Sequence, residues 1–147
     1  SDFAGCKISG ITFKDGSRIL TDETNKYNKR FPFSGVNGLK FVDFAGLEYI
    51  GYGLIQSYST NIIYVFIPKG LEVSETCWSG YSSTNTIFGR VSIYLYTEMS
   101  KDEFNKAKLN RPGYGGITYG SVYGNYNYGV SHEQFKSIVK SKCGISY

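Results

Sequence analysis

Apolar and polar positions alternate along much of this chain, and that alternation predicts short β-strands. It is clearest in CKISGITF and VSIYLYT, and LKFVDF, LEYIGYGLIQ and NIIYVFIP are further predicted strands. NIIYVFIP is so continuously apolar that both of its faces should be covered. The sequence KDGS, between ITF and RILT, predicts a β-hairpin, because Asp-Gly supplies the positive φ angles of a tight turn.

Two helices are predicted from their first residues. SKDE and SHEQ each carry a serine followed three positions later by Glu or Gln, which is the pattern of a capping box. The helices should cover about residues 100–109 and 131–143. Short strands with two peripheral helices predict an α+β fold built mainly from antiparallel β-sheets, in a single domain of residues 1–147 without a repeat of fixed period.

Length and composition agree with one globular domain. The chain has 147 residues, and its 14 Tyr and 10 Phe favour strands. Its net charge of +4 comes from charged residues scattered along the chain, and this distribution does not indicate a nucleic-acid-binding protein. No apolar run approaches the length of a membrane span, and the start at Ser1 without a signal-peptide pattern is interpreted as a mature or excised fragment.

Three cysteines, Cys6, Cys77 and Cys143, suggest one disulfide and one spare thiol. A bridge between Cys6 and Cys143 would tie the two ends together and stabilise the fold by up to about 4 to 5 kcal/mol on the chain-entropy model. We therefore expect a secreted, extracellular protein; the alternative is a cytosolic protein with three reduced thiols. The cysteines are too far apart for a zinc knuckle, and one histidine cannot build a zinc site with two or three His ligands, so no metal is expected.

His132 lies in the first turn of the last predicted helix, where we expect a solvated side chain. Cys77 beside Trp78 raises the alternative of a cysteine nucleophile with His132 as its base. Gly80 and the following Ser/Thr run indicate a loop, whereas an activated cysteine needs a helix N-terminus or a nearby base. A basic nuclease would need a histidine with Lys, Arg or Glu partners around a cleft. The sequence shows no such signature for His132.

The stretch GGITYGSVYGNYNYGVSHEQF resembles the C-terminal strand region of the A1 chains of heat-labile enterotoxin and cholera toxin. That family has a Gly-Gly-Ile strand, a Tyr-Gly-x-Tyr segment and a Gly-Val-x-x-Glu-Gln helix entry in the same order. FKDGSR at 13–18 is similar to the family's aromatic-Arg-x-Asp-x-Arg strand, and YSTN at 58–61 to its Ser-Thr-Ser.

The resemblance implies mono-ADP-ribosyl transfer from NAD. Lys14 would stand at the NAD-binding arginine and Arg18 at the second arginine of that strand, while Ser59 and Thr60 would form the hydroxyl pair. Lysine is a poor replacement for arginine there, because an ammonium lacks the planar fork that grips phosphate or ribose.

The family's catalytic Glu-x-Glu is missing. Lys108 and Asn110 occupy the corresponding positions, so Glu103, or else Glu98, would have to supply the catalytic carboxylate. The resemblance therefore implies a degenerate scaffold that has lost catalysis, with NAD as cofactor only if the site is intact. The expected function is that of a secreted effector- or toxin-like protein that binds a host or neighbouring-cell protein or glycan.

An alternative is an extracellular carbohydrate- or protein-binding module that uses exposed tyrosines. Tyrosine gives flat contact area at low entropy cost, with Asn and Gly nearby. The candidates are Tyr119, Tyr123, Tyr126 and Tyr128. On an alternating strand Tyr119 and Tyr123 share one face and Tyr126 and Tyr128 share one face, so only part of the set can form a platform; half of them could instead pack in the core.

Overall fold

The structure, a computed structural model, describes residues 3–20, 33, 35–51, 59–73, 88, 91–107, 109–111, 115–116 and 124–147. In that part of the chain the strands are β1 (Gly10–Ile11), β2 (Ser17–Ile19), β3 (Phe41–Asp43), β4 (Leu47–Ile50), β5 (Ser59–Ile67), β6 (Glu72–Val73), β7 (Val91–Thr97), β8 (Asn110–Arg111), β9 (Gly115–Gly116) and β10 (Gly124–Asn127). The helices are α1 (Lys101–Lys106) and α2 (His132–Cys143).

The strands form two parallel sheets, so the fold is α/β and the predicted antiparallel α+β architecture is wrong. The larger sheet has the order β1-β3-β5-β7-β10 and the smaller has the order β2-β4-β6. Every pairing within these two sheets is parallel. The short pair β8–β9 is antiparallel.

Successive strand pairs stack as coils of a solenoid. Each of the first three coils places one strand in the larger sheet, turns a corner, and places the next strand in the smaller sheet. A glycine with positive φ lies at each corner: Gly16 at 81°, Gly46 at 90° and Gly70 at 88°. The amide of Gly16 donates to the carbonyl of Gly46 over 2.9 Å, which joins neighbouring corners. A coil repeat is therefore present, although the sequence shows no fixed period.

The hairpin predicted at KDGS is also wrong, because the turn at Asp15–Gly16 leads β2 into the second sheet instead of back along β1. Positive φ at glycine serves either turn equally well. The difference lies in what each strand pairs with, and those partners are the later strands β3 and β4.

The main core lies between the two sheets. One inward row crosses the larger sheet in register: Ile11, Val42, Val65, Leu95 and Tyr126. Leu47, Ile50 and Val73 of the smaller sheet belong to the same buried cluster. Parallel sheets are usually covered on both faces, and α2 covers part of the second face of this one.

Both helices begin at the predicted serines, Ser100 and Ser131, and both capping boxes are present. Helix α1 ends at Lys106, earlier than about residue 109. Helix α2 ends at Cys143, where Gly144 takes the left-handed conformation with φ of 70°. The two helix starts are local features, which is why the sequence could indicate them.

The predicted disulfide is wrong. Cys6 and Cys143 are free thiols: Cys6 is exposed, whereas Cys143 is half-buried against the residues that pack beneath α2. Cys77 lies outside the described residues. Neither helix of the described ranges is long and apolar enough to cross a membrane.

Candidate functional site

Two rows of side chains cross the outer face of the larger sheet, the face turned away from the main core. The first outer row contains Phe41, Tyr64, Tyr94 and Asn125, which are aligned by strand register. The second outer row contains Asp43, Phe66, Tyr96 and Asn127. Because one strand contributes one residue to each row, residues far apart in sequence become neighbours on this face.

Helix α2 covers the second outer row. Phe135 is fully buried, and its ring centroid lies 5.4 Å from that of Phe66 and 5.7 Å from that of Tyr96. Val139, one turn later, is also fully buried, in the same hydrophobic cluster as Phe41 and Phe66. The spacing of four residues places both apolar side chains on one side of the helix, against the sheet.

Asp43 ends β3 as a buried carboxylate with three hydrogen-bond partners. Its Oδ2 atom lies 2.6 Å from His132 Nε2 and accepts the Tyr147 hydroxyl, also at 2.6 Å. The Ala45 amide donates to Oδ1 over 2.9 Å. Burying a carboxylate is unfavourable unless it is hydrogen-bonded or paired, and here both oxygens are satisfied.

Asp43, His132 and Tyr147 form what we call the carboxylate cluster. It joins β3 to the first turn of α2 and to the segment that follows α2. Burial, with a further contribution from the hydrogen bond to Asp43, holds the pKa of Tyr147 well above its usual range. The Tyr147 phenol therefore stays protonated and donates its hydrogen bond to Asp43. The His132 ring packs against Phe66, with ring centroids 5.0 Å apart. The cluster holds α2 in position over the second outer row.

Beside α2, a group of tyrosines remains partly exposed. Tyr64, Tyr94 and Tyr96 form this tyrosine cluster; the Tyr64 ring centroid lies 5.4 Å from that of Tyr94 and 6.4 Å from that of Tyr96. Burial raises the pKa of Tyr64 and of Tyr96, so both hydroxyls are neutral donors and acceptors. Asn125, next in the first outer row, is exposed.

A cleft of about 460 Å³ opens where the tyrosine cluster meets the end of α2. It is lined by Gly38, Leu39, Lys40, Ile62, Tyr64, Lys142 and Cys143. Burial raises the pKa of the Cys143 thiol, and the positive charge of Lys40 opposes that shift. The lining therefore combines aliphatic and aromatic surface with a neutral thiol and two lysines.

The residues assigned to NAD by the resemblance lie on separate elements. Lys14 is at the first corner, where its carbonyl accepts from Ser17. Arg18 lies on β2 and contacts Glu48, 3.8 Å away, and the Tyr49 ring, 4.9 Å away. Ser59 and Thr60 begin β5 in the other sheet, and their side chains lie outside the described part.

Glu103, the predicted catalytic carboxylate, lies exposed in the first turn of α1. It accepts from the backbone amide of Ser100 as part of the capping box and pairs with Lys69 at 2.9 Å. The hydrogen bond to Lys69 lowers the pKa of Glu103 and raises that of Lys69. Its described contacts are thus a helix cap and an exposed ion pair.

Two of the four tyrosines predicted as ligand-binding residues, Tyr119 and Tyr123, lie outside the described residues. Tyr126 and Tyr128 are half-buried, and their ring centroids lie 5.8 and 5.7 Å from that of Phe104 on α1. Both pack against the main core.

Sequence reasoning missed the carboxylate cluster and the tyrosine cluster. His132 is bonded to Asp43, so the prediction of a solvated helix-start residue is wrong. One signal was present: Asp43 interrupts the apolar run FVDF, and an acidic residue in a buried strand needs a partner. The tyrosines Tyr94 and Tyr96 share one strand face in the sequence, but only the fold shows that Tyr64 joins them.

Comparisons with protein-family models, with curated proteins and with solved structures give no match to this chain. No relative therefore supports the predicted effector, toxin-like or secreted character. The fold and the site define a parallel two-sheet solenoid with a helix docked on one sheet face. Among the described residues there is no group of three His, Cys, Asp or Glu side chains that could hold a metal ion.

Proposed function

We propose that this protein is a recognition module that binds a partner protein through the tyrosine cluster on the outer face of the larger sheet. The observation that carries the proposal is the pair formed by Tyr64 and Tyr94, whose ring centroids lie 5.4 Å apart on adjacent strands beside the helix-covered part of the face. Tyrosine is enriched where proteins contact each other, because its ring is apolar and its hydroxyl forms hydrogen bonds.

Strand pairing and helix packing make this surface rigid. Tyr64 and Tyr94 extend from strands that pair through most of their length, and Tyr96 is held by Phe135. A contact surface that is ordered before binding loses less conformational entropy when it binds. The exposed amide of Asn125 and the exposed Ile62, 41% accessible, add a polar and an apolar contact nearby.

A peptide-display selection on the immobilised protein tests the proposal. Peptides that bind should lose about tenfold or more in affinity for a Tyr94→Ala variant, because truncating a central aromatic contact typically costs more than 1 kcal/mol. Tyr49→Ala is the matched control, since Tyr49 lies on the smaller sheet beneath Arg18. It should change the affinity by less than about twofold.

Two outcomes would redirect the interpretation. Selected peptides that bind Tyr94→Ala as well as the unaltered protein would show that the tyrosine cluster is not the contact surface. Binding on a glycan array that is lost with Tyr94→Ala would replace the protein partner with a carbohydrate. The ADP-ribosyltransferase-like scaffold stays a prediction with its own test, in which NAD at about millimolar concentration should raise the melting temperature by binding the native state.

A further inference from the structure

We propose that the cleft at the end of α2 binds a small organic anion, a carboxylate or phosphate carried on a flat apolar body. The cleft has a volume of about 460 Å³, which lies within the range of small-ligand pockets. It lies beside the tyrosine cluster and shares only Tyr64 with it. The two sites can therefore be tested separately.

The charge of the cleft favours an anion. Lys40 and Lys142 both line it, and within the described ranges neither has a carboxylate at ion-pair distance; the pairs found there involve Arg18, Lys69 and His132. An oxyanion bound in the cleft would be attracted by both positive charges. Lysine acts as a point charge without a fixed fork, so the same pair accepts a carboxylate or a phosphate.

The wall of the cleft favours an apolar body attached to that anion. Ile62 is 41% exposed at this position, and the partly exposed Tyr64 ring provides further apolar surface. Covering an exposed aliphatic side chain and the edge of an aromatic ring is favourable because apolar surface leaves water. A free inorganic anion would meet the two lysines but leave this wall exposed.

The Cys143 thiol can report on ligand binding in the cleft through its rate of alkylation. This thiol lines the cleft, and burial raises its pKa, so it adds no negative charge that would repel the ligand. Cys6 is exposed and is not among the lining residues. The same molecule therefore carries a reporter thiol and a reference thiol.

The test measures the alkylation rates of Cys143 and Cys6 by mass spectrometry in the presence of defined probes. Naphthalene-2-carboxylate and 2-naphthyl phosphate carry the proposed groups, and 2-naphthamide is the neutral counterpart. Acetate and inorganic phosphate are the anions without an apolar body. Probes of this size are expected to bind with a Kd on the order of 1 mM.

At about ten times that Kd, either naphthyl anion should slow alkylation of Cys143 by about tenfold and leave Cys6 unchanged. The two naphthyl arms show which oxyanion is preferred, and protection by either supports the site. Lys142→Gln should weaken binding by up to about fivefold and so lower the protection to about threefold, whereas Lys101→Gln, an exposed lysine on α1, should leave it unchanged.

Three results would overturn the inference. They are equal protection by the neutral amide, equal slowing of Cys6, and no protection of Cys143 by any probe. A Tyr94→Ala variant should keep the protection, because Tyr94 does not line the cleft. Loss of peptide binding with retained protection would thus separate the partner surface from the anion site.

Discussion

The His132 ring nitrogen Nε2 lies 2.6 Å from Asp43 Oδ2, although the two residues are 89 positions apart in the sequence. The Asp43 side chain is only 3% exposed, so this contact holds the start of α2 against the sheet at a buried point. Tyr147 bonds the same oxygen from the segment after α2. Polar contacts thus hold both ends of the helix region over the second outer row.

A double-mutant cycle should detect the coupling between Asp43 and His132. Asp43→Asn removes the charge and should lower the free energy of unfolding by about 1 to 3 kcal/mol, since the hydrogen bonds involve a charged group. In the His132→Ala background the same change should cost at least about 0.5 kcal/mol less. Urea unfolding of the four proteins measures both values, and strict additivity would contradict the coupling.

Alkaline pH should destabilise the protein through Tyr147. The pKa of Tyr147 in the folded state lies above the ordinary tyrosine value of 10.0, so its contribution to stability is complete below pH 10.0 and is lost as the pH rises above it. The melting temperature of Tyr147→Phe should therefore fall less steeply above pH 10.0 than that of the unaltered protein. Identical slopes in melts at increasing alkaline pH would show that Tyr147 is not the responsible group.

Phe135 should be the most sensitive position on α2. Phe135→Ala leaves a cavity between Phe66 and Tyr96 and should cost about 3 to 5 kcal/mol of unfolding free energy. Lys140→Ala, on the exposed side of the same helix, should change it by no more than about 0.5 kcal/mol. Chemical denaturation measures both variants, and a similar small effect at both positions would mean that α2 is not packed as described.

Gly10 provides space for the Phe41 ring, which lies opposite it in the sheet register. An added Cβ at Gly10 would overlap that ring, and the ring also stacks on Tyr147 with centroids 4.7 Å apart. Gly10→Ala should therefore cost about 1 to 3 kcal/mol through overpacking. The neighbouring exposed Ser9→Ala is the control in the same denaturation experiment, and an equal effect of both would contradict the close approach.

The sequence predicted the features of this fold that are set locally. The capping serines Ser100 and Ser131 are bonded within their own first turns, so a four-residue pattern was sufficient to find both helix starts. Alternation also predicted the strand VSIYLYT, which is β7. Both observations depend on residues close together in the chain.

Strand direction and site assembly could not be read in the same way. The turn at Gly16 allows either a hairpin or a solenoid corner. The outcome depends on the later strands that pair with β1 and β2. The hydrogen-bond partners of Asp43 are likewise distant in sequence: His132 and Tyr147 are 89 and 104 positions away. An unequal coil length hid the repeat, because the corner glycines are not evenly spaced.

Helix α2 lies across several coils at once, through Asp43 on β3, Phe66 on β5 and Tyr96 on β7. In a simple solenoid each coil contacts only its neighbours, so terminal coils can open while the others stay folded. Because α2 packs against three coils, none of these coils can open without losing its contacts to the helix. Amide hydrogens in these three strands should consequently exchange with similar protection, as one cooperative unit, and lose it together when Phe135 is truncated.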